Sequence, residues 1–153
     1  MEMDTIVQMA TVLVMIVSIV ITAVWSIKQM RSNTYSRIMD RMFELNKIEF
    51  RNKELFKALD DPLDAREPFL PEKHHYLFMV FSIYNEIFMQ HYSCGLLSEG
   101  EYISWERRFA SLLVNKKSIL EYWERFYKED ASDNFNKWVI KIMKDYKDNK
   151  KHK

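Results

Sequence analysis

The sequence predicts an all-α fold: one N-terminal transmembrane helix followed by a cytosolic bundle of five or six helices. Three observations favour this fold. The chain opens with an uncharged apolar run long enough to cross a bilayer. The rest of the chain repeats apolar residues at helical spacing. With 48% hydrophobic residues but only two glycines and three prolines, it lacks the turn residues that join the strands of a sheet protein.

The apolar run covers residues 6–27. It carries no charge, and at 1.5 Å per residue it extends over about 33 Å, enough to cross the hydrocarbon core of a bilayer. A cleaved secretory signal is the competing interpretation. That signal needs a positively charged leader, whereas Glu2 and Asp4 make this leader acidic. We therefore expect a transmembrane helix that stays on the chain.

The residues that follow the run indicate its orientation. Lys28, Arg31, Arg37 and Arg41 come after it, while the preceding residues are acidic. Because positive residues stay on the cytoplasmic side, the N-terminus is expected outside and the C-terminal part in the cytoplasm. Trp25 lies where an interfacial aromatic residue is expected. The sequence thus predicts a single-pass protein of the inner (plasma) membrane of a bacterium.

Four segments follow from this interpretation. Residues 1–5 form a short extracytoplasmic N-terminus, 6–27 the transmembrane helix, 28–146 a cytosolic helical domain and 147–153 a basic disordered tail.

The single cysteine cannot form an intramolecular disulfide and suits a reducing compartment. The net charge of +1 gives no reason to expect a nucleic-acid partner.

Polar and flexible side chains within the span are spaced by three or four residues and so share one helical face. This polar stripe consists of Gln8, Thr11, Met15, Ser18, Thr22 and Ser26. Such a face favours helix association through close packing and interhelical hydrogen bonds, so we expect a homo-oligomer with this stripe as its oligomer or pore face. The alternative is that the hydroxyls bond carbonyls of their own helix. A water-lined ring of copies is a further hypothesis.

The cytosolic part divides into helices at recognisable start and stop residues. Apolar spacing over residues 33–48 predicts that the membrane helix continues or restarts at once. Asn52 is a candidate cap of a short helix, and prolines mark an acidic loop over residues 61–72. Pro71 is suited to begin a central, mostly apolar helix that Gly95 terminates.

Three further helices are predicted downstream. Ser98 and Glu101 form a capping box that starts the first of them. A break near Asn115 separates it from the second, and Ser132 or Asp133 caps the last.

The histidines and the cysteine do not assemble a recognisable metal or catalytic motif. His74 and His75 are adjacent and point in different directions on a helix. Glu72 and His75 share a face as in carboxylate-bridged metal sites, but those sites use the motif twice. His91 and Cys94 are one turn apart and supply only two ligands, so a satisfied histidine beside a buried thiol is expected. We predict no metal, no cofactor, no catalytic residue and no enzymatic activity.

Two further features of the sequence bear on a catalytic or buried charged site. Helical ribonucleases of the HEPN group carry an arginine and a histidine only a few residues apart, whereas Arg66 and His74 have seven residues between them. Ribonuclease activity is therefore not predicted. Glu86 lies on the most apolar helix, and we expect it to pair with an arginine such as Arg107 or Arg108.

The layout resembles that of known bacterial proteins. An N-terminal span, a short basic junction and the segments ISWERRF (103–109) and EYWERF (121–126) resemble small single-span membrane proteins with a cytosolic helical domain. Among these, the chain is similar to the membrane accessory protein of type VI-B CRISPR systems. That resemblance covers the whole layout and implies an inner-membrane oligomer that strengthens antiviral defence.

The expected function is that of a non-enzymatic, oligomeric effector or accessory protein of CRISPR-type defence, in contact with membrane lipid, with pore formation as a further hypothesis. One alternative is a monomeric membrane-tethered adaptor that holds a cytosolic protein partner through exposed aromatics such as Tyr102 or Trp123. A membrane-held RNA-binding protein is a second alternative, motivated by the basic tail.

Overall fold

The computed structural model describes residues 2–61, 63 and 71–151, and every regular element in these ranges is helical. The elements are α1 (Glu2–Arg51), α2 (Lys53–Ala58), α3 (Pro71–Tyr92), α4 (Glu99–Asn115), α5 (Lys117–Tyr122), a π-helical turn (Trp123–Tyr127) and α6 (Asp133–Lys151). The all-α prediction is confirmed.

Helix α1 is one unbroken rod of 50 residues. At 1.5 Å per residue it is about 75 Å long. Its apolar part has a mean hydropathy of 2.5 and no buried residue, so by length and composition it is a candidate membrane span. No other helix in the described ranges meets the same criterion. The apolar segment was expected to continue or restart at once as a helix in the following domain. It continues, because α1 has no break between the two parts.

The second half of α1 belongs to the helical bundle. Ile38, Met42 and Leu45 are buried there at 0%, 1% and 0% exposure. They lie on one face because they are spaced by four and three residues, and this face packs against α3. One rigid helix therefore joins the apolar segment directly to the bundle.

Helix α3 is the central helix of the bundle, as its sequence predicts. Its buried residues are Tyr76, Leu77, Val80, Phe81, Ile83, Tyr84, Ile87 and Phe88. The helix begins at Pro71, and Gly95 beyond its end has a φ of +61°. This left-handed conformation costs glycine little, and it lets the Gly95 amide donate to the His91 carbonyl at 3.2 Å.

Aromatic rings from α3, α4 and α6 fill the core. Phe109 is fully buried and stacks on Tyr84 with ring centroids 4.1 Å apart and planes 12° apart. Its ring also contacts Phe81 and Trp138, each with a centroid distance of 5.6 Å. Offset and edge-on ring pairs of this kind add to the stabilisation from burial.

The predicted helix starts are confirmed. Ser98 and Glu101 form the complete capping box, with the Ser98 amide donating to the Glu101 carboxylate at 2.9 Å. The side chains of Asn52 and Ser132 each accept the amide hydrogen three residues on, at 3.0 and 3.3 Å. Helix α4 ends at Asn115, where the break was predicted.

The basic C-terminus differs from the prediction. Helix α6 continues to Lys151, so residues 147–151 are helical rather than disordered. Packing along α4 explains the difference: the Tyr146 hydroxyl donates to Ser111 Oγ at 3.2 Å, and Lys150 Nζ lies 3.4 Å from Asn115 Oδ1. These contacts extend the helix beyond its last buried apolar residue.

Two buried tyrosines predict a loss of stability at alkaline pH. Burial raises the pKa of Tyr76, and the hydrogen bond that it donates to Glu49 at 2.7 Å raises it further. Burial also raises the pKa of Tyr84. Above pH 10 these phenols ionise in the unfolded chain and stay protonated in the folded one. The free energy of unfolding should then fall by about 1.4 kcal/mol per pH unit for each tyrosine.

Denaturation by urea between pH 8 and pH 11, followed by tryptophan fluorescence, measures this slope. Tyr84→Phe is the matched variant, because the Tyr84 hydroxyl is buried without a hydrogen-bond partner among the described residues. Its removal should leave stability at pH 8 unchanged or higher and make the alkaline slope shallower. A variant with the same slope as the natural chain would contradict the prediction.

Candidate functional site

The polar stripe of α1 lies on the surface of the helix. Its members, Gln8, Thr11, Met15, Ser18, Thr22 and Ser26, are all exposed. At about 100° per residue they occupy roughly 80° of arc, so they form one narrow face. The remaining surface of this half of α1 is almost entirely aliphatic and also exposed.

Three hydroxyls of the polar stripe donate to their own helix. Thr11 Oγ1, Ser18 Oγ and Thr22 Oγ1 each lie 2.8 Å from the carbonyl oxygen four residues earlier. This is the bonding within one helix that the sequence leaves open as the alternative to bonds between helices. It satisfies the hydroxyl hydrogens inside each chain and leaves the oxygens able to accept a hydrogen bond from a neighbouring helix.

The predicted junction residues lie at and beyond the end of the apolar segment. Trp25 is 68% exposed, and Lys28 is also exposed. Arg31 donates to the carbonyl of Gly95 at 3.3 Å, and Arg37 forms an ion pair with Glu86 at 2.7 Å. Two of the residues predicted to orient the helix thus also bind the bundle.

Glu86 pairs with different arginines from those we expected. Its carboxylate accepts hydrogen bonds from Arg37 and Arg41 of α1, whereas Arg108 donates to Asn46 at 2.5 Å. The prediction that Arg107 or Arg108 is the partner is wrong, because α3 turns the Glu86 side of the helix towards α1. Arg41 also donates to Ser82 at 3.0 Å, which fixes its guanidinium against α3.

These contacts define which end of the bundle adjoins the apolar segment. The Arg31 to Gly95 hydrogen bond places the turn after α3 beside the start of the junction, and Tyr76 bonds Glu49 at the opposite end of α3. Helix α3 therefore runs antiparallel to α1. Since Lys150 reaches the end of α4, the basic C-terminus lies at the end of the bundle remote from the apolar segment.

The candidate metal and catalytic residues take part in ordinary packing contacts. His91 stacks on Tyr102 with centroids 3.9 Å apart, and its Nε2 lies 3.5 Å from a Glu99 oxygen. Cys94 is exposed, so the expected buried thiol is wrong: the turn after α3 carries it outwards. His74 packs edge-on against the Tyr122 ring.

Other members of this set remain on the surface or lie outside the described residues. Glu72 and His75 are exposed on the first turn of α3. No group of three or more histidine, cysteine, aspartate or glutamate residues able to hold a metal is found in the described ranges. Arg66, the nearest candidate for a ribonuclease motif, lies outside the described residues, as does most of the predicted loop.

The aromatics proposed for partner capture are not on the surface. Tyr102 and Trp123 are only 3% exposed, so this prediction is wrong. Tyr102 packs between α3 and α6, and the indole nitrogen of Trp123 donates to Asn136 at 3.1 Å. Helical spacing identifies these aromatics as a stripe, and only the packed bundle shows that the stripe faces inwards.

Three apolar side chains on the second half of α1 are exposed, and none of them is among the predicted site residues. Met39, Phe43 and Phe50 have exposures of 40%, 66% and 78%. Lys53 Nζ lies 5.8 Å from the centroid of the Phe50 ring. Their spacing of four and seven residues was the available signal, because such positions share a face in a coiled coil.

Comparisons with protein-family models, curated protein sequences and solved structures found no significant match to this chain. The surfaces available for a functional proposal are therefore those that the chain itself presents. Within the described ranges, most of the exposed large hydrophobic residues lie on α1, which also carries the polar stripe.

Proposed function

We propose that this chain is a non-enzymatic, single-pass membrane protein that self-associates through the polar stripe of α1. One observation carries the proposal: the stripe lies on an exposed face of the same unbroken helix whose opposite face packs into the bundle. Copies that meet at the stripe therefore keep their bundles on the outside of the assembly.

The angular positions on α1 support this geometry. At about 100° per residue, Thr11 and Thr22 lie roughly 140–180° from the buried positions Ile38 and Leu45. The bundle consequently does not cover the side on which a second α1 would approach. In a bilayer, helix association depends on close packing and hydrogen bonds, which small hydroxyl residues permit.

The proposed orientation places the N-terminus outside and the helical bundle in the cytoplasm of a bacterium. It is supported by the positive residues that follow the apolar run, of which Lys28 is exposed. In this orientation the turn after α3 faces the inner surface of the membrane. The basic end of α6 points into the cytoplasm, away from the lipid.

The resemblance to the accessory protein of type VI-B CRISPR systems extends the proposal to antiviral defence. In that role the assembled spans would form a pore with the polar stripe towards its lumen, and the bundle would receive the signal. Membrane potential in phage-infected cells distinguishes a pore from assembly alone. Depolarisation that requires the intact stripe supports a pore, whereas an unchanged potential in protected cells contradicts it.

Replacement of three stripe residues should weaken the assembly. We expect Thr11→Leu, Ser18→Leu and Thr22→Leu together to shift the full-length protein from a defined oligomer towards monomer. Leucine removes the small surfaces and hydroxyl oxygens on which interhelical packing depends, yet keeps the helix apolar. Light scattering in detergent, corrected for bound detergent, measures the mass.

The matched control carries Val17→Leu, Val20→Leu and Val24→Leu on the opposite side of the same segment. These side chains are also exposed, so the control has the same number of added leucines and should keep the natural mass. A monomer in the natural chain, the variant and the control would contradict self-association. The alternative role, a monomeric tethered adaptor, would then be the better account.

A further inference from the structure

The exposed side chains of Met39, Phe43 and Phe50 continue the polar stripe along α1. Positions separated alternately by four and three residues run from the apolar segment to the end of the helix, and each of these positions is exposed. This seam consists of Thr11, Met15, Ser18, Thr22, Trp25, Gln29, Ser32, Ser36, Met39, Phe43, Asn46 and Phe50. An alternation of four and three is the heptad spacing of a coiled coil.

The seam keeps clear of the bundle over most of its length. On the second half of α1, Phe43 and Phe50 lie roughly 130° and 115° around the helix from the mean direction of the buried residues Ile38, Met42 and Leu45. Asn46 is the seam position nearest the buried face, and its side chain accepts a hydrogen bond from Arg108 of α4. A second helix can therefore approach Phe43 and Phe50 without displacing α3.

We infer that this seam packs against the same seam of a second copy, so that α1 associates over its whole length as a parallel coiled coil. The inference rests on the proposed function, because it takes its second copy from association within the membrane. Copies inserted with the same orientation are parallel by necessity. Because α1 is unbroken, contact between two copies at Ser18 and Thr22 also determines which residues of the second copy lie opposite Met39 and Phe43.

A supercoil allows one seam to face the second copy along both the apolar segment and the second half of α1. On a straight helix a heptad repeat drifts by about 20° per seven residues, which carries the seam from the Thr11 side towards the Phe50 side. A left-handed supercoil cancels this drift and keeps the seam facing its partner. Packed helices lie about 8–10 Å apart, a distance at which the facing phenylalanine rings make contact.

The amount of exposed area indicates why the membrane segment is needed. Met39, Phe43 and Phe50 together expose roughly 300–400 Å² in each copy, judged from typical side-chain areas. Stable interfaces between soluble proteins bury about 800 Å² per partner. The second half of the seam is therefore too small to hold two copies alone, and it adds to an association that the span begins.

Cysteine cross-linking of the full-length chain in membranes tests the inference. The native Cys94 is first changed to serine, which is a mild change because this side chain is exposed. Single cysteines are then placed by Phe43→Cys and Phe50→Cys on the seam, and by Ser18→Cys in the span. Glu44→Cys is the matched control, since Glu44 is exposed next to Phe43 but points about 100° away from it.

Oxidation with copper phenanthroline should give several-fold more covalent dimer for Phe43→Cys and Phe50→Cys than for Glu44→Cys. If Ser18→Cys forms dimers while the two seam variants match the Glu44→Cys control, the inference is overturned and self-association through the span stands. If Ser18→Cys also forms no dimer, both the inference and the proposed function are overturned. The four side chains replaced by cysteine, like Cys94, are exposed, so the substitutions leave the core of the bundle intact.

Discussion

Phe109→Ala is expected to lower the free energy of unfolding of the helical bundle by about 3–5 kcal/mol, as for other large aromatic side chains removed from a core. The side chain has 0% exposure and its ring contacts rings of α3 and α6. Loss of the ring leaves a cavity that cannot close easily. Tyr84 and Trp138, which border it on two sides, are themselves held by buried neighbours.

Urea unfolding followed by tryptophan fluorescence measures this loss. A Trp25→Phe background restricts the signal to the bundle, because the other tryptophans lie in α4, the π-helical turn and α6. Phe126→Ala is the control: that ring is 41% exposed, and its removal should cost about 1 kcal/mol. Equal losses in the two variants would show that Phe109 is not at the centre of the core.

The helix boundaries were predictable because local chemistry determines them. The capping box of Ser98 and Glu101, the proline at the start of α3 and Gly95 at its end each act within a few residues of chain. The apolar spacing over residues 33–48 likewise predicted a helix there, and three of its apolar residues, Ile38, Met42 and Leu45, form the buried face. None of these inferences required knowledge of which helices are neighbours.

Contacts between helices were not predictable in the same way. Glu86 was expected to bind an arginine, but helical periodicity cannot distinguish Arg41 from Arg108 when both lie on neighbouring helices. The adaptor alternative placed Tyr102 and Trp123 on a partner surface for the same reason, since an aromatic stripe faces either a core or a partner. The disordered tail was also inferred from composition alone, whereas contacts with α4 keep it helical.

The candidate site was predictable only in the apolar half of α1. A polar residue is conspicuous among aliphatic ones, so the stripe around Ser18 is visible in the sequence. Exposed apolar residues near Phe43 are not conspicuous, because a helix that packs into a core also carries apolar residues at helical spacing. The bundle must be placed on Ile38 and Leu45 before the face with Phe43 and Phe50 is recognised as unoccupied by α3.

Glu86→Ala is expected to lower the free energy of unfolding by about 2 kcal/mol and to loosen the contact between α1 and α3. Glu86 has a side-chain exposure of 16%, compared with 37% for Arg41 and 58% for Arg37. Removal of the carboxylate leaves the half-buried Arg41 beside Arg37 without the charge that neutralises both. The more exposed Arg37 pair contributes less, since water screens it.

A double-mutant cycle separates the two ion pairs. Arg41→Gln and Arg37→Gln are each combined with Glu86→Ala, and the coupling energy is measured by urea unfolding in the Trp25→Phe background. We expect about 1–2 kcal/mol for Arg41 and less than about 0.5 kcal/mol for Arg37. A coupling near zero for Arg41 would contradict the proposed role of this pair.

The consequence for function follows from the position of the pair. Arg37 and Arg41 lie between the apolar segment of α1 and its exposed Phe43, so Glu86 fixes the rotation of α1 relative to the bundle. A change in α3 that alters this rotation would turn the bundle about α1 in each copy of the proposed assembly. Glu86→Ala should therefore also reduce dimer formation by Phe43→Cys more than by Ser18→Cys, because a bundle that turns about α1 obstructs the seam only where the bundle is attached.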